Sequence, residues 1–266
     1  MRLFTKFAVA ATALMMVAGG AQAADKIRIG TEGAYPPFNE LTADGKLIGF
    51  DIDMANALCE EMKAECEFVV QDWDGMIPAL MAGKFDAVIA SMSITPDRLK
   101  KVDFSKKYYN TPGALAVPKD SKLAAIDPKD LPAAVAELKG LTIGAQSSTT
   151  HSNFAEQKLP DTELKLYPTS DEYKLDLEAG RLDGVTDDVV VLDEWVKSES
   201  GACCKILGTF PAIEEIYGQG AGIAVRKGET ELADRFSAAI KAIRANGKYK
   251  EINDKYFDFD VYGGDE

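Results

Sequence analysis

The sequence predicts a pair of similar α/β lobes, and internal repetition is the main reason. Residues 82–89 read Ala-Gly-Lys-Phe-Asp-Ala-Val-Ile, and residues 179–186 read Ala-Gly-Arg-Leu-Asp-Gly-Val-Thr. A second pair of phrases precedes these: Ile-Arg-Ile-Gly at 27–30 and Leu-Thr-Ile-Gly at 141–144. Each phrase opens or contains a short apolar strand that runs into a polar loop. Open α/β sheets bind ligands at the carboxyl ends of their strands, so two such lobes can close their loops on one small molecule. The chain has 266 residues, 46% apolar and 27% charged, which is enough for two domains with cores of their own.

The elements follow in order. Residues 1–23 carry a basic start at Arg2 and Lys6, an apolar run from Phe7 to Val17, and the small-x-small site Ala21-Gln22-Ala23. This pattern predicts a secretory signal peptide, with Ala24 as the mature start. The apolar run is short for a membrane anchor. Ile27–Gly30 reads as the first strand and Leu47–Phe50 as the second. Asp51 reads as the cap of a helix reaching about Met62, on the spacing of Ile52, Ala55, Leu58 and Met62. Phe68–Val70 is a strand, 74–82 a short helix containing Pro78, and Ala87–Ala90 a buried strand. Thr95-Pro96 then starts a helix, with Thr as cap and Pro at its first position.

Residues 109–113, Tyr-Asn-Thr-Pro-Gly, read as a break between lobes, with a strand at 115–117 beyond it. The polar, Pro-containing stretch 119–137 reads as peripheral. Leu141–Ala145 opens the second core, and a helix follows at about 149–158. A helix at 173–179, a strand at 184–186 and a helix at 189–196 come next. The Gly-Gln-Gly-Ala-Gly run at 218–222 is a second break; it lacks the helix and the acidic residue of a dinucleotide site. A strand at 223–226 and helices near 230–245 and 248–256 finish the chain. Two crossings place lobe 1 at 24–111 and 218–266 and lobe 2 at 112–217, with the lobes moving about a hinge.

Charge and cysteine usage narrow the function. Arg2 and Lys6 are the only charged residues of 1–23, so cleavage leaves 28 basic against 43 acidic residues, a net charge of −15. That argues against nucleic acid and anionic membranes as partners and is compatible with a cationic ligand. In an exported protein Cys59 and Cys66, separated by six residues, are expected to form a disulfide. The adjacent Cys203 and Cys204 are open to two readings, a vicinal disulfide or free thiols. His151 is the single histidine, so neither a zinc site nor any other metal centre is expected.

Several residues have the chemistry to hold a small zwitterion. Arg98 follows the polar loop Ser91-Met92-Ser93 in the first turn of a capped helix, where a guanidinium fork and free amides suit a carboxylate; a surface salt bridge is the alternative. The helix start around Ser148 and Thr149 offers a similar anion site from the other lobe. Asp187, just past the second repeated strand, is read as facing the cleft, where it would balance an ammonium. The other reading makes it a helix cap, a role open to Asp188 too. Tyr35 and Trp73 sit in two strand-to-helix loops and can flank an aliphatic or guanidinium side chain, or else pack in the core. Glu32 shares the loop of Tyr35 and can meet a positive end.

Four segments now carry a family resemblance: Thr-Glu-Gly-Ala-Tyr-Pro-Pro-Phe at 31–38, Gly-Phe-Asp-Ile-Asp at 49–53, Asp-Trp-Asp-Gly-Met-Ile-Pro at 72–78, and Ser-Met-Ser-Ile-Thr at 91–95 with Arg98. Together they resemble the polar amino-acid-binding proteins of bacterial ABC importers, solute-binding protein family 3. Residues 255–263, Lys-Tyr-Phe-Asp-Phe-Asp-Val-Tyr-Gly, and the Cys59–Cys66 pair are similar to the lysine/arginine/ornithine-binding branch, which closes that pair as a disulfide. The resemblance covers nearly the whole mature chain. It implies a hinged, two-lobed periplasmic-binding-protein fold of type II, each lobe a mixed β-sheet flanked by helices. It further implies a soluble periplasmic monomer that captures one amino acid, docks on a membrane permease, and needs no cofactor and no catalytic residues.

Carried over position by position, Arg98 with the amides of Ser93 and Thr149 would hold the α-carboxylate. Asp187 and Ser91 would hold the α-ammonium, Tyr35 and Trp73 would flank the side chain, and Glu32 would meet its distal charge. The sequence departs from that branch at Ala90, where serine is frequent, at Glu32, where aspartate is frequent, at Trp73, which resembles opine-binding relatives, and at Ile216, where an aromatic is sometimes seen. The expected ligand is arginine, lysine or ornithine, with an opine as the alternative. An exported dehydratase-like enzyme on the same scaffold is a further alternative, but no nucleophile–base pair is legible. A receptor sensing domain is disfavoured because no spanning segment follows the last helix.

Overall fold

In a computed structural model, residues 25–123 and 126–264 are described, and two five-stranded sheets organise them. The signal peptide expected at 1–23 lies outside those residues. The strands are β1 (Asp25–Thr31), β2 (Ala34–Tyr35), β3 (Asn39–Leu41), β4 (Leu47–Ile48), β5 (Ala64–Val70), β6 (Ala87–Val88), β7 (Val102–Tyr109), β8 (Gly113–Pro118), β9 (Thr142–Gln146), β10 (Glu163–Tyr167), β11 (Gly184–Asp188), β12 (Cys204–Thr209) and β13 (Ala221–Arg226). The helices are α1 (Phe50–Glu61), α2 (Met76–Met81), α3 (Pro96–Leu99), α4 (Leu131–Leu138), α5 (Thr150–Lys158), α6 (Ser170–Glu178), α7 (Val189–Lys197), α8 (Glu214–Tyr217), α9 (Thr230–Ala245) and α10 (Lys248–Tyr256).

One sheet has the order β5-β1-β6-β13-β7 and the other β10-β9-β11-β8-β12; a small sheet β2-β3-β4 flanks the first. The two large sheets share a plan. In each, the first three strands are parallel, the fourth runs antiparallel to both of its neighbours, and the fifth therefore runs in the direction of the first three. The repeated phrases occupy equivalent places. Those at 27–30 and 141–144 lie in the second strand of each sheet, and those at 82–89 and 179–186 feed the central strand. The equivalence extends to packing: a Cβ on Gly30 would strike the Phe85 ring at 2.6 Å, and one on Gly144 would strike Leu182 at 2.6 Å. Phe85 and Leu182 hold the same place in their phrases, so each fills the space that a strand glycine leaves open.

The chain passes from the first sheet to the second between β7 and β8, and back between β12 and β13. Helices α1, α9 and α10 cover the first sheet through Phe50, Met54, Leu58, Phe236, Ile240 and Ile252. On its other face α2 packs with Met76, Leu80 and Phe85. The second sheet is sandwiched by Leu138, Phe154 and Phe210 on one side and by Tyr173, Leu177 and Trp195 on the other. Among the described residues no helix is long and apolar enough to cross a membrane.

Caps formed as their residue types dictate. The Thr95 hydroxyl accepts from the Arg98 amide at 3.3 Å, with Pro96 at the first position of α3. Thr149 caps α5 in a reciprocal box with Ser152. Cys59 at the end of α1 is bonded to Cys66 in β5, and Cys203 and Cys204 are free, the first exposed and the second buried.

Four expectations need correction. Asp51 does not cap α1: the helix begins at Phe50 after Gly49, and the Asp51 carboxylate turns inward to Tyr108, Asn39 and Ser91. The second strand stops at Ile48, because Phe50 is already helical. The stretch 119–137 is not merely peripheral: Leu123 and Ala134 join the core under α4, which Asp130 caps. Strands β7, β10 and β12 arise where no strand was expected, all at or beside sheet edges, with mixed burial patterns that hide a period of two.

Candidate functional site

The carboxyl ends of β1, β6, β9 and β11 converge on a cavity between the sheets. Glu32, Tyr35, Trp73, Ser91, Ser93 and Arg98 line it from the first sheet's loops. Gln146, Thr149, Thr150, His151 and Asp188 line it from the second's. Of the expected site residues, all but Ser148 and Asp187 reach its wall.

Arg98 is held in the cleft by two carbonyls: Nη1 donates to Ser93 at 3.0 Å and Nη2 to Ser148 at 3.2 Å. Its guanidinium lies 5.2 Å from the centre of the Trp73 ring. The residue as a whole is half-buried, but the guanidinium is enclosed, and burial pulls its pKa down to about 10. Its remaining N–H groups are available to a carboxylate.

Ser91 stands at φ 55° and Ser148 at φ 58°, so both site loops turn through a left-handed residue that is not glycine. The first turn is held from behind. The Ser91 hydroxyl donates to Asp51 at 2.9 Å and its amide to the Tyr108 hydroxyl at 3.0 Å. Asn39 donates to the same carboxylate at 2.8 Å and accepts from the Gly33 amide at 2.8 Å, which ties in the Glu32 loop. Burial pushes the Asp51 pKa up to about 6, against the pull of these hydrogen bonds.

Glu32 is 8% exposed. Its Oε1 accepts from Gln146 Nε2 at 2.6 Å, which also donates to the Pro168 carbonyl at 3.0 Å. Burial raises its pKa from an ordinary 4.5 to about 7, with a smaller push from Asp187. Gln146 was not singled out in the sequence, although its place at the end of β9 is the signal that could have found it.

The neighbouring aspartates divide their work differently from expectation. Asp187 does not line the cavity. It is 1% exposed, and its carboxylate accepts from the Tyr35 and Tyr173 hydroxyls and from the Asp188 amide at 2.6 Å. His151 Nε2 lies 3.4 Å from it, and burial lowers the His151 pKa. Asp188 does face the cavity, while also capping α7 through the Val190 amide at 2.8 Å and accepting from the Thr111 hydroxyl. Burial pushes its pKa to about 7. The reason is strand alternation: Val185 points into the core beside Tyr173, so Asp187 shares that side and Asp188 takes the other.

Two further placements differ. Ser148 is exposed and offers only its carbonyl, which accepts from Trp73 Nε1 at 3.2 Å as well as from Arg98. The Thr149 amide donates to Ser152 Oγ at 3.1 Å, so the amides of α5 without an intrahelical partner are those of Thr150 and His151. Ile216 is buried in the second core, and the aromatic at the cavity is its neighbour Tyr217.

The sequence signature of the bacterial extracellular solute-binding proteins, family 3, matches residues 27–259. The chain belongs to this family. It is 48% identical over 245 residues to the L-arginine-binding protein of Pseudomonas aeruginosa, covering 91% of this chain and 92% of that protein. Among solved structures it resembles a Salmonella typhimurium periplasmic binding protein described for its high arginine specificity, at TM-score 0.79 and 35% identity over 88% of this chain and all of that one. An ancestral arginine-binding protein bound to arginine matches at TM-score 0.78 and 36% identity, over 87% and 98% of the respective chains. The two-lobed architecture is therefore the type II periplasmic-binding fold, and these relatives are described as binding proteins. This family 3 chain accordingly serves amino-acid transport as a solute-binding protein.

Proposed function

We propose that this protein is the periplasmic capture component of an ABC importer for a cationic L-amino acid, with arginine preferred. One observation carries the reading: the cavity presents one enclosed cation, Arg98, and two carboxylates, Glu32 and Asp188. That set is the complement of a molecule with one carboxylate and two positive groups. Arg98 and the Thr150 and His151 amides take the α-carboxylate. Asp188 takes the α-ammonium, with Ser91 and Ser93 beside it. The side chain extends between Tyr35 and Trp73 to Glu32, where a planar guanidinium gains both stacking and a paired charge. The Gln146 amide nitrogen is committed to Glu32 and Pro168, which leaves its oxygen to accept from the ligand.

The lobes span 24–111 with 218–266, and 112–217, and rotate about the two crossings near Asn110–Pro112 and Gly218–Gly220. Ligand shifts the open–closed equilibrium toward the closed form, which docks as a monomer on a membrane permease. The protein is exported by cleavage after Ala23 and acts without catalysis. The 48% identity to an L-arginine-binding protein supports arginine as the first ligand to test.

Calorimetry on protein stripped of ligand by unfolding and refolding tests the reading. Arginine, lysine and ornithine should each bind at least tenfold more tightly than glutamate or leucine, with arginine first. Tighter binding of glutamate, leucine or an opine would overturn it.

A further inference from the structure

The buried carboxylate of Asp187 belongs to the second sheet, but one of the hydroxyls it accepts, that of Tyr35, comes from the first sheet's side of the cleft. Tyr35 also lines the cavity, whereas Asp187 does not. The other partners of this carboxylate, Tyr173, His151 and the Asp188 amide, are all local to its own lobe. We propose that Asp187 is a positioning residue for ligand capture: it is a latch that grips the Tyr35 hydroxyl when the lobes close, fixing the Tyr35 ring against the ligand and holding the closed form shut. The proposal rests on the capture role given above, but not on which amino acid is captured.

The chemistry favours this contact over the bonds that join the lobes at the rim of the cleft, while the buried Gln146–Glu32 bond engages a carboxylate already assigned to the ligand. The Trp73 and Arg98 bonds to the Ser148 carbonyl lie at the exposed mouth, as do those from Ser147 Oγ to Asp74 at 2.8 and 3.0 Å. Solvent competes for such groups in either state. Tyr35 and Asp187 are buried, and a hydroxyl donating to a carboxylate away from water forms a charge-assisted bond that water does not replace in the closed state. Opening transfers the free lone pairs of Asp187 and the Tyr35 hydroxyl to solvent, so the bond contributes only to the closed form. Burial holds the Tyr35 hydroxyl protonated, so it stays a donor through the physiological range.

A latch formed after encounter slows release without changing capture. Tyr35→Phe, which keeps the ring and removes only the hydroxyl, should raise the dissociation rate of arginine about tenfold and leave the association rate within twofold. Stopped-flow fluorescence of Trp73 reads both rates. Asp187→Asn should act in the same direction, and the double variant should be no faster than the worse single one. Tyr173→Phe removes a donor from within the same lobe. It should lower the thermal stability of free and bound protein and move the dissociation rate less than Tyr35→Phe does.

A Tyr35→Phe dissociation rate within twofold of wild type, additive effects of the two substitutions, or an equal change from Tyr173→Phe would each overturn the latch. The free protein supplies a separate readout. Small-angle scattering of ligand-stripped Tyr35→Phe should give a more open average than wild type, and an unchanged profile counts against the proposal. If wild type bound no cationic amino acid, the capture reading would fail, while the scattering would still decide the latch.

Discussion

Glu32→Gln tests the ligand assignment and the electrostatics of the cleft together. The substitution keeps shape, and its amide oxygen can still accept from Gln146, which now donates at 2.6 Å. It removes the charge. A ligand guanidinium would lose its buried partner, a loss that typically costs about 2–5 kcal/mol. Because the isostere keeps one acceptor, the lower end applies, and arginine should bind about 30- to 100-fold more weakly. Glutamine, with a neutral terminus, should bind nearly as well as to wild type.

The free protein should respond in the opposite sense. Burial lifts the Glu32 pKa from 4.5 to about 7. The folded state therefore holds the proton more firmly than the unfolded one, and its stability falls as pH rises between those values. At about 1.4 kcal/mol per tenfold change in proton affinity, the ionised carboxylate costs at most about 3 kcal/mol above pH 7. Glu32→Gln removes that cost, so ligand-free protein should melt several degrees higher at pH 8 and about the same at pH 4. Calorimetry with arginine and glutamine, with melting curves at both pH values, measures all of this. Arginine affinity within threefold of wild type, or a lower melting temperature at pH 8, would refute the reasoning.

Arg98→Ala should weaken binding of every amino acid by several kcal/mol, since the α-carboxylate is left unpaired in the cleft, and Arg98→Lys should recover only part of this without the fork; near-normal affinity by calorimetry for Arg98→Ala would remove Arg98 from the site. Binding should tighten with pH. Glu32 and Asp188 each sit near pKa 7 through burial, a cationic ligand holds both ionised, and at pH 7 about one proton in total should leave. The gain should be on the order of tenfold per carboxylate between pH 6 and 8, levelling off above; titrations in buffers of different ionisation enthalpy count the protons, and a flat profile would argue against both assignments. Replacing Cys59 and Cys66 by serine should lower stability by about 2.5 kcal/mol for so short a loop. Arginine affinity should stay within twofold, because the bond joins α1 to β5 at the ends of β5 and its neighbour β1 away from the site; denaturant melts and calorimetry check the two halves.

Sequence alone determined whatever depends on neighbours in the chain. The repeated phrases gave equivalent strands, because a glycine beside a strand needs a large apolar residue to fill its space, and Phe85 and Leu182 occur at the same step of each repeat. Thr95 and Thr149 capped their helices because a β-hydroxyl reaches the amide three residues on wherever the backbone turns into a helix. Tyr35, Trp73 and Glu32 were legible for a related reason, since residues just past a strand must emerge at the sheet's carboxyl edge, and Arg98 was legible from the capped start of its helix.

Tertiary structure decided what depends on facing. Asp187 and Asp188 are adjacent and chemically identical, yet a strand sends successive side chains to opposite sides, and only the packing of Val185 and Tyr173 fixes which one meets the cavity. Asp51 reads locally as a helix cap, but burial under Tyr108 turns it into the brace behind Ser91. Edge strands such as β10 carry no clean alternation, since one side of their pairing is water. Gln146 and the pairing of Tyr35 with Asp187 lie further still from any local rule, because each joins residues more than 100 positions apart. The two lobes meet at those contacts, and burial between the lobes lifts Glu32 and Asp188 toward neutrality.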